Sequence, residues 1–398
     1  MLETLVKIKN LTPRTKTGRV VCGSVPIGGG SPIAIQSMTN TFTEEAAETA
    51  AQAIALAQAG ADIVRCAVPS PKAAVALKEV LARIQTSGTE VPIVADIHFD
   101  YRIALESIKS GVHKIRINPG NIGGKDRIKA VVDAAGAAGI PVRIGVNCGS
   151  LEEDLLPLYD SEPARALAES AVRNIEIIRG LGFEDLVVSI KASDVVENTE
   201  AHKLLSAVTD LPLHIGITEA GYGRAGVVKS AAGIGALLAM GIGDTIRVSL
   251  TGDPLKEIPA ARDILRSVNL LPGQITMISC PTCGRCRMDL LKICKEVSSA
   301  MYETELLRMA EARRIRRGGP EQGEEAEAFA LRLAAAERPI VVAVMGCRVN
   351  GPGEAAHADL GVACGEFGGV YFEKGVRGEV VPTDKITRAL VDGVEALL

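Results

Sequence analysis

The sequence predicts an α/β protein of two domains, a (β/α)8 TIM barrel over residues 1–268 and a smaller α/β domain over residues 269–398. Short apolar runs alternate with Ala-rich helical segments from about residue 30 to residue 265, without hairpin signals between them. This alternation is typical of parallel strands joined by helical crossovers. There are eight such runs, the number that closes a barrel. The segment Leu270–Gly273 then predicts a linker into the second domain.

The predicted barrel strands are short apolar runs, most of them rich in Ile and Val. They are Ile33–Ser37, Ile63–Cys66, Ile93–Ile97, Lys114–Ile117, Val142–Val146, Leu186–Ile190, Leu213–Ile217 and Thr245–Leu250. The predicted helices carry apolar residues three to four positions apart. They are Glu44–Ala59, Pro71–Thr86, Arg102–Ser110, Lys125–Ala138, Pro163–Leu181, Glu197–Val208 and Gly226–Met240. An open doubly wound sheet is the alternative, but no Gly-x-Gly-x-x-Gly motif follows the first strand. Glycines 28–30 precede that strand and predict a turn at the opposite face of the barrel from the strand ends.

The second domain is predicted to hold four strands and two helices. The strands are Gln274–Ser279, Ile340–Met345, Leu360–Cys364 and Val370–Glu373, and the helices lie around Met288–Met309 and Asp384–Leu397. A charge-rich segment, Glu303–Arg338, contains the basic run Arg313–Arg317 and then acidic residues. We interpret it as a solvated helical excursion, and the alternative is a docking face for an acidic electron-donor protein.

Polar residues stand at the carboxyl ends of the predicted barrel strands, where barrel enzymes build their sites. They are Arg65, Asp96 with His98, Arg116 with Asn118, Arg143 with Asn147, Lys191, Glu219, and Arg247 with Ser249. A single arginine in such a place is commonly half of a structural ion pair, but five cations at five strand ends favour an anion site. Arginine forks match phosphate oxygens in pairs, so the pattern predicts a small polyanion such as a diphosphate.

The roles of the two carboxylates at these ends stay open. Asp96 and Glu219 could bind substrate hydroxyls, pair with neighbouring arginines or move protons. His98 is predicted to be packed or hydrogen-bonded, and no chemistry is assigned to His113, His202 or His214. The Gly-rich loop at residues 118–124 could offer backbone N–H groups to an anion at the same face.

Composition excludes several classes of protein. A net charge of −4 with nearly balanced acids and bases gives no field for binding nucleic acid, and 3% aromatic residues without Trp disfavour base stacking. The amino terminus has no secretory-signal pattern, and the weakly polar run Ala231–Gly243 is too short for a membrane span. We therefore expect a cytoplasmic enzyme without nucleic-acid or membrane partners. Nine scattered cysteines do not form a small secreted disulfide framework.

A metal centre is predicted from two distant motifs. Cys280-Pro-Thr-Cys283 and the Gly/Pro-rich stretch from Met345 to Glu354 supply three thiols and one carboxylate, namely Cys280, Cys283, Cys347 and Glu354. We interpret the site as a [4Fe-4S] cluster. Zinc is the alternative, since paired cysteines are its common ligands, but no second Cys-x-x-Cys or His pair follows.

Cys286 imitates the third cysteine of a bacterial ferredoxin motif. That motif needs a fourth cysteine after three further residues, followed by proline, whereas Cys294 comes after seven. We therefore leave Cys286 out of the ligand set. Cys22, Cys66, Cys148, Cys294 and Cys364 are interpreted as small apolar fillers.

Four stretches together closely resemble the 4-hydroxy-3-methylbut-2-enyl diphosphate synthase family. They are Cys280–Arg285, Met345–Glu354, Pro32–Thr39 and Gly216–Gly221. Members of this family are flavodoxin- or ferredoxin-dependent enzymes of the methylerythritol phosphate pathway of isoprenoid synthesis. The chain departs from the family pattern at Cys286 and Arg348, and its segment 311–338 is longer than usual.

The resemblance implies a barrel followed by a cluster domain similar to those of sulfite and nitrite reductases. It also implies a head-to-tail homodimer in which the cluster of one subunit covers the barrel mouth of the other. The ligands it implies for the cluster are Cys280, Cys283, Cys347 and Glu354. The substrate-lining residues it implies are Arg65, Asp96, Arg116, Arg143, Asn147, Lys191, Arg247, Ser249 and Asn350, with Glu219 as the acid.

The activity implied by the resemblance is the two-electron reductive ring opening and dehydration of 2-C-methyl-D-erythritol 2,4-cyclodiphosphate. Its product is 4-hydroxy-3-methylbut-2-enyl diphosphate, and Glu354 is the ligand expected to leave its iron and admit a substrate oxygen. Two other classes remain possible from the residues alone. One is a barrel transferase with a structural zinc domain, and the other is a noncatalytic iron–sulfur carrier, which would not need five convergent cations.

Overall fold

The computed structural model describes residues 14–347, 353 and 355–398. The chain divides into two compact units, Met1–Leu270 and Leu271–Leu398. None of the helices in the described ranges combines the length and apolar character that a membrane span requires.

The first unit opens with an antiparallel hairpin and continues as an eight-stranded parallel sheet. The hairpin strands are β1 (Arg19–Cys22) and β2 (Val25–Gly28). The strands of the parallel sheet are β3 (Ala34–Met38), β4 (Ile63–Ala67), β5 (Ile93–Asp96), β6 (Lys114–Ile117), β7 (Val142–Asn147), β8 (Leu186–Lys191), β9 (His214–Ile215) and β10 (Thr245–Ile246).

The parallel sheet closes into a barrel. Its strand order is β8-β7-β6-β5-β4-β3-β10-β9, so each strand from β3 to β8 pairs with its sequence neighbour. The two ends meet where Val188 of β8 forms a parallel bridge with Leu213 and donates its N–H to Pro212 O at 2.9 Å. The predicted (β/α)8 barrel is therefore confirmed.

Helices cross over between the barrel strands. They are α1 (Ala46–Ala59), α2 (Pro71–Thr86), α3 (Tyr101–Lys109), α4 (Pro119–Ile122), α5 (Lys125–Ala138), α6 (Leu156–Ser161), α7 (Pro163–Arg179), α8 (Val195–Ser206), α9 (Gly223–Ala239) and α10 (Glu257–Ser267). Side chains cap several of them: Ser70 accepts the N–H of Ala73, and Asp194 accepts the N–H of Val196. The capped helices begin next to the strand ends, which holds those ends in register.

The amino-terminal hairpin packs across the amino end of the barrel. Val20, Cys22, Val25 and Ile27 form one buried cluster with the barrel residues Ala34, Ile63, Val94 and Val187. The glycines at 28–30 follow β2 with positive φ, and this agrees with the predicted turn. The hairpin itself was not predicted, although the two-residue Gly23-Ser24 connection between apolar runs is a signal for one.

The second unit is a five-stranded mixed sheet with helices. Its strands, in spatial order, are β11 (Ile275–Ser279), β12 (Ile340–Met345), β13 (Leu360–Cys364), β14 (Gly368–Glu373) and β15 (Val376–Pro382). The first three strands are parallel, and the last two pairings are antiparallel. Helices α11 (Leu290–Gly318) and α13 (Ile386–Glu395) contribute to one large apolar core with β11, β12 and β13.

The charge-rich segment is helical, as predicted, but its first helix is longer than expected. Helix α11 continues to Gly318 rather than ending near Met309, and α12 (Ala326–Glu337) follows. Arg316 of α11 pairs with Glu337 of α12 at 2.6 Å. The continuation occurs because Met309, Ala312 and Ile315 keep a buried stripe on α11 beyond the point where charged residues become frequent.

Two barrel strands are shorter than predicted. The apolar runs Leu213–Ile217 and Thr245–Leu250 form strands only over His214–Ile215 and Thr245–Ile246. Gly216 lies so close to its neighbour that a Cβ there would be 2.6 Å from the carbonyl oxygen of Arg247. The two segments stay close beyond the strands, since the N–H of Arg247 donates to Ile215 O at 3.1 Å. Residues 216–219, Arg247 and Ser249 line the barrel cavity.

Candidate active site

A cavity of about 210 Å³ lies inside the barrel and is lined by residues of β4, β7 and β8, of β9, and of the segments that follow β9 and β10. Its lining is mainly polar and cationic. The lining residues are Arg65, Arg143, Ser189, Ile190, Lys191, His214, Gly216, Ile217, Thr218, Glu219, Arg247 and Ser249. Four of the five predicted cations therefore surround one cavity, together with Glu219 and Ser249. Arg143, which was predicted at a carboxyl strand end, is instead the second residue of β7 and reaches the cavity from within the barrel.

Asp96 links two of the cations beside this cavity. Its carboxylate lies 3.6 Å from Arg65 Nε and 3.2 Å from Arg116 Nη1, and all three side chains are almost completely buried. Burial alone would raise the pKa of Asp96, but Arg65, a hydrogen bond from His98 and then Arg116 hold it well below its usual value. The Asp96 carboxylate therefore lies between the two guanidinium groups, and its lowered pKa favours the charged form.

Arg116 occupies space that only glycine leaves free. A Cβ at Gly145 of β7 would lie 2.3 Å from Arg116 Nε, and Arg116 Nη2 donates to Gly145 O at 3.2 Å. Since β6 and β7 pair directly, the missing side chain lets the guanidinium lie flat across the neighbouring strand. Arg116 is fully buried and supports the cavity from beside Asp96 rather than lining it.

Arg143 is the least compensated charge in the cavity. It is fully buried, and its Nε, Nη1 and Nη2 atoms have no hydrogen-bond partner among the described residues. Burial, and then the nearby Arg65 and Arg116, lower its pKa well below the usual value for arginine. Because arginine stays protonated in proteins, these donors require an anionic partner.

Lys191 and Arg247 complete the cationic wall. Burial, followed by Arg116 and Arg65, lowers the pKa of Lys191 to about 7. Arg247 Nη2 lies 3.4 Å from Glu257 Oε1, and Glu257 also accepts hydrogen bonds from Ser37 and from the N–H of Leu250. Glu257 was not predicted, because it lies on α10 rather than at a strand end, ten residues after Arg247.

His214 and Lys114 are buried groups that the sequence analysis left without chemistry. His214 lines the cavity, and its Nδ1 is 2.6 Å from Thr245 Oγ1. Burial and then Arg143 and Arg65 lower its pKa well below the usual value, so the imidazole is neutral. Lys114 is fully buried at the start of β6, and burial lowers its pKa to about 8. His214, to which no chemistry was assigned, therefore lies at the cavity.

Glu219 lies at the rim of the cavity in a strained backbone conformation. Its φ of 54° places it in the left-handed region, which is uncommon for residues other than Gly and Asn. Its side chain is exposed, and it lines the cavity opposite the buried cations. Strain of this kind often occurs at functional positions, where the surrounding structure maintains it.

Asn147 ends β7 in register with Lys191. Its side chain Oδ1 accepts a hydrogen bond from Ser150 at 2.9 Å, and Asn118 donates to the same hydroxyl. In the loop at 118–124, the N–H of Gly120 is already bound to Asn118 Oδ1 at 3.1 Å, and residues 119–122 form α4. The N–H groups of Asn121 and Ile122 are bound to Asn118 O as well, and none of residues 118–124 lines the cavity, so these N–H groups are not offered to an anion there.

The predicted cysteine site lies in the second unit, in the loop after β11 and at the end of β12. Cys280 is partly buried and Cys283 is exposed. The N–H of Gly346 donates to Cys280 Sγ at 3.1 Å, and Cys347 follows directly. Within the described residues, no group of three or more His, Cys, Asp or Glu side chains is gathered as a metal site. Asn350 and Glu354, which were predicted to bind substrate and iron, lie outside the described residues.

Two families match the chain. The family described as GcpE TIM-barrel domain matches residues 17–262, and the family described as GcpE protein C-terminal domain matches residues 321–396. A curated relative from Caldanaerobacter subterraneus subsp. tengcongensis is 45% identical over 394 residues, which cover 99% of each chain. Another from Clostridium acetobutylicum is 46% identical over 362 residues, 91% of this chain and 93% of the relative. Both are named 4-hydroxy-3-methylbut-2-en-1-yl diphosphate synthase (flavodoxin).

Among solved structures, dihydropteroate synthase of Xanthomonas albilineans, in complex with indole-2-carboxylic acid and 6-chloroguanine, is 15% identical with a TM-score of 0.46. The match covers 64% of this chain and 100% of that one.

The family matches span most of the barrel and much of the second unit, and the curated relatives match nearly end to end. On this evidence the chain belongs to the GcpE family of enzymes.

Proposed function

We propose that the chain converts 2-C-methyl-D-erythritol 2,4-cyclodiphosphate to 4-hydroxy-3-methylbut-2-enyl diphosphate. The reaction consumes two electrons and two protons, opens the ring, breaks a C–O bond and releases one water. The observation that carries the proposal is Arg143, a fully buried guanidinium with no described partner, set in a cavity with three further cations. The relatives whose names state this diphosphate product support the same reaction.

The cavity suits a diphosphate in charge and in geometry. Arg65, Arg143, Lys191 and Arg247 surround it, and a guanidinium can bind two phosphate oxygens with parallel hydrogen bonds. Asp96 and Glu257 orient Arg65, Arg116 and Arg247 without neutralising the whole group. Since the cations are held in place before binding, little ordering accompanies capture of the anion.

The second unit provides a fitting set of donors for an iron–sulfur cluster. Cys280, Cys283 and Cys347 would supply three thiolates and Glu354 an oxygen, which are ligand types that iron accepts. The N–H of Gly346 donates to Cys280 Sγ, and such bonds to ligand sulfur set the redox potential of a cluster. A bound [4Fe-4S] cluster would supply single-electron transfer to the substrate.

Glu219 is the residue proposed to donate a proton to the leaving hydroxyl. Glu219→Gly removes the carboxyl and also relieves the strain of the left-handed backbone conformation. We therefore expect the free energy of unfolding to stay unchanged or to increase by up to about 1 kcal/mol, with an equal or higher unfolding midpoint. Glu219→Gln keeps the backbone and the side-chain shape but removes the proton. Both variants should lose about 10²- to 10⁴-fold in turnover. Calorimetry and anaerobic product assays measure the two effects.

The Glu219→Gln variant distinguishes proton donation by Glu219 from a role in hydroxyl binding or ion pairing. If Glu219→Gln keeps most of the wild-type turnover, proton donation by Glu219 is refuted. Glu153→Gln, a change of an exposed carboxylate on the same unit, serves as the control and should leave turnover unchanged.

Lys191 makes anion binding depend on pH. Its pKa is lowered to about 7 by burial and then by Arg116 and Arg65, and a bound polyanion raises that pKa because it favours the charged amine. Binding therefore takes up a proton above pH 7, and the Kd for inorganic pyrophosphate should rise with pH by up to about tenfold per unit. Lys191→Met should remove this part of the dependence. Calorimetric titrations at several pH values compare the two proteins. The ionisation of pyrophosphate itself affects both equally and cancels in the comparison. Equal slopes of log Kd against pH for the two proteins would refute the assignment of this dependence to Lys191.

The electron donor is proposed to be flavodoxin or ferredoxin, because the curated relatives carry flavodoxin in their names. No residue of this chain is assigned to the surface that binds the electron donor. Docking of the donor at the basic run 313–317 stays a prediction. The pairing of two chains, in which a cluster domain covers a neighbouring barrel, also stays a prediction from the resemblance, as does the cytoplasmic location.

Anaerobic turnover tests the proposed function. The purified chain, reconstituted with iron and sulfide, receives the cyclodiphosphate and a chemical reductant. We expect one 4-hydroxy-3-methylbut-2-enyl diphosphate for every two electrons consumed. A protein with full iron content and no product would overturn the reaction, and a colourless protein with stoichiometric zinc would favour the transferase alternative.

A further inference from the structure

Cys286 is a third thiol beside the predicted cluster ligands, and the proposed reaction gives it no part. Its N–H donates to Cys283 O at 2.9 Å, and its thiol donates to Met288 O at 3.3 Å. The side chain is partly buried and packs against the main apolar core of the second unit, as does that of Cys280. The turn between Cys283 and Cys286 therefore brings this sulfur back toward the start of the motif.

The sulfurs of Cys286 and Cys280 both lie next to Gly346, which has no side chain to separate them. A Cβ built at Gly346 would lie 2.9 Å from Cys286 Sγ and 3.2 Å from Cys280 Sγ. The sum of these distances, about 6.1 Å, is the largest separation that the two sulfurs can have. A disulfide needs about 2 Å between sulfurs, so bond formation requires the two thiols to approach from any larger separation, and the staggered χ1 rotamers of cysteine provide alternative positions for each sulfur.

We propose that Cys286 is a resolving thiol, which forms a disulfide with Cys280 when the chain carries no cluster. The oxidant is a low-molecular-weight disulfide such as oxidised glutathione. The thiolate of Cys280 attacks it and releases one reduced glutathione, leaving a mixed disulfide. The thiolate of Cys286 then attacks Cys280 Sγ and releases the second glutathione. Overall, the S–S bond of glutathione disulfide breaks and the Cys280–Cys286 bond forms, and the two electrons and the two cysteine protons pass to glutathione, giving two molecules of the reduced form.

Cys283 is the competing partner for Cys280, because the two form a Cys-x-x-Cys pair. It is exposed to solvent, whereas Cys280 and Cys286 are both partly buried against the same core and both face Gly346. Formation of the Cys280–Cys286 bond keeps both sulfurs within the folded loop and leaves Cys283 outside. The disulfide would protect Cys280 from oxidation to sulfinic and sulfonic acids, which thiol reductants do not reverse.

Disulfide mapping tests the proposal on the full-length, cluster-free chain. The protein is incubated with oxidised glutathione, alkylated and digested, and the peptides are identified by mass spectrometry. We expect Cys280–Cys286 as the main disulfide in the wild type and in the control Cys294→Ser, which removes a nearby thiol on α11. In Cys286→Ser, Cys280 should instead keep a glutathione adduct. After peroxide and then dithiothreitol, the irreversibly oxidised fraction of Cys280 should rise several-fold over wild type.

Gly346→Ala gives a second test that keeps every cysteine. Its methyl group stands between the two sulfurs, so the yield of the Cys280–Cys286 disulfide should fall. A wild-type map with only Cys280–Cys283, or with mixed disulfides alone, overturns the proposal. The map needs neither cluster nor substrate, so it can fail while anaerobic turnover succeeds, and the reverse is also possible.

Discussion

Replacing Arg143 by methionine is expected to weaken substrate binding strongly while leaving the folded barrel equally or more stable. Arg143 is fully buried without a described hydrogen-bond partner, so the empty protein carries an uncompensated charge. Removing a buried charge in favour of an apolar side chain of similar length is often neutral or stabilising by about 1–4 kcal/mol. Removing one partner of a buried charged contact, by contrast, weakens the free energy of binding by about 2–5 kcal/mol, which raises the Kd roughly 30-fold to several-thousand-fold.

Two measurements distinguish these opposite effects. Calorimetry in phosphate-free buffer reports the unfolding midpoint, and titration with inorganic pyrophosphate or the cyclodiphosphate reports affinity. Arg165→Met is the matched control, because Arg165 is exposed on α7 and forms only a surface pair with Glu162 at 3.3 Å. If Arg143→Met unfolds several degrees earlier and binds pyrophosphate as wild type does, Arg143 is a structural residue and the proposed anion site is wrong.

Replacing Cys283 by serine is expected to abolish cluster assembly and turnover. Cys283 is exposed and is not part of the two apolar clusters formed by the described residues of the second unit, so the change should leave the midpoint of the cluster-free protein unaltered. A hydroxyl is a poor substitute for thiolate at iron, so iron and sulfide per chain should fall to a small fraction of wild type. Turnover should fall by about a thousandfold or more, since the reaction has no other route for electrons.

Cys294→Ser is the comparison for this experiment as well. It removes a partly buried thiol from the same part of the second unit and should retain the iron, sulfide and visible absorption of the wild type. Full iron and sulfide in Cys283→Ser would exclude Cys283 from the ligand set. The cluster would then require another sulfur, and Cys286 would be the first residue to examine.

The barrel and the placement of its cations could be predicted because both follow from local pattern. Each apolar run ends in a turn or loop, and the parallel arrangement takes every such end to the same rim. Lys191 ends β8 and Arg247 directly follows β10, as this pattern predicts. Arg65 and Arg143 lie inside their strands, and the four cations line one cavity although up to 182 positions separate them along the chain. The roles assigned to them remain predictions, to be decided by the experiments above.

Other features depended on information that no local pattern contains. Glu257 contacts Arg247 from α10, and its hydrogen bond from Ser37 of the first barrel strand forms only when the barrel closes. His214 was assigned to a strand, but a strand of two residues carries too little alternation to show which way a side chain faces. The left-handed backbone at Glu219 also has no sequence signal, because turns with this conformation usually select glycine or asparagine.

The hairpin of β1 and β2 affects the route by which a ligand enters and leaves the barrel. It packs over the amino end of the barrel with Val20, Cys22, Val25 and Ile27 in a buried apolar cluster. With the amino end covered in this way, a ligand in the cavity would enter and leave at the carboxyl end of the barrel. If the cavity binds the diphosphate as proposed, substrate and product share this route past Lys191 and Arg247. Product release then limits turnover whenever it is slower than bond breaking.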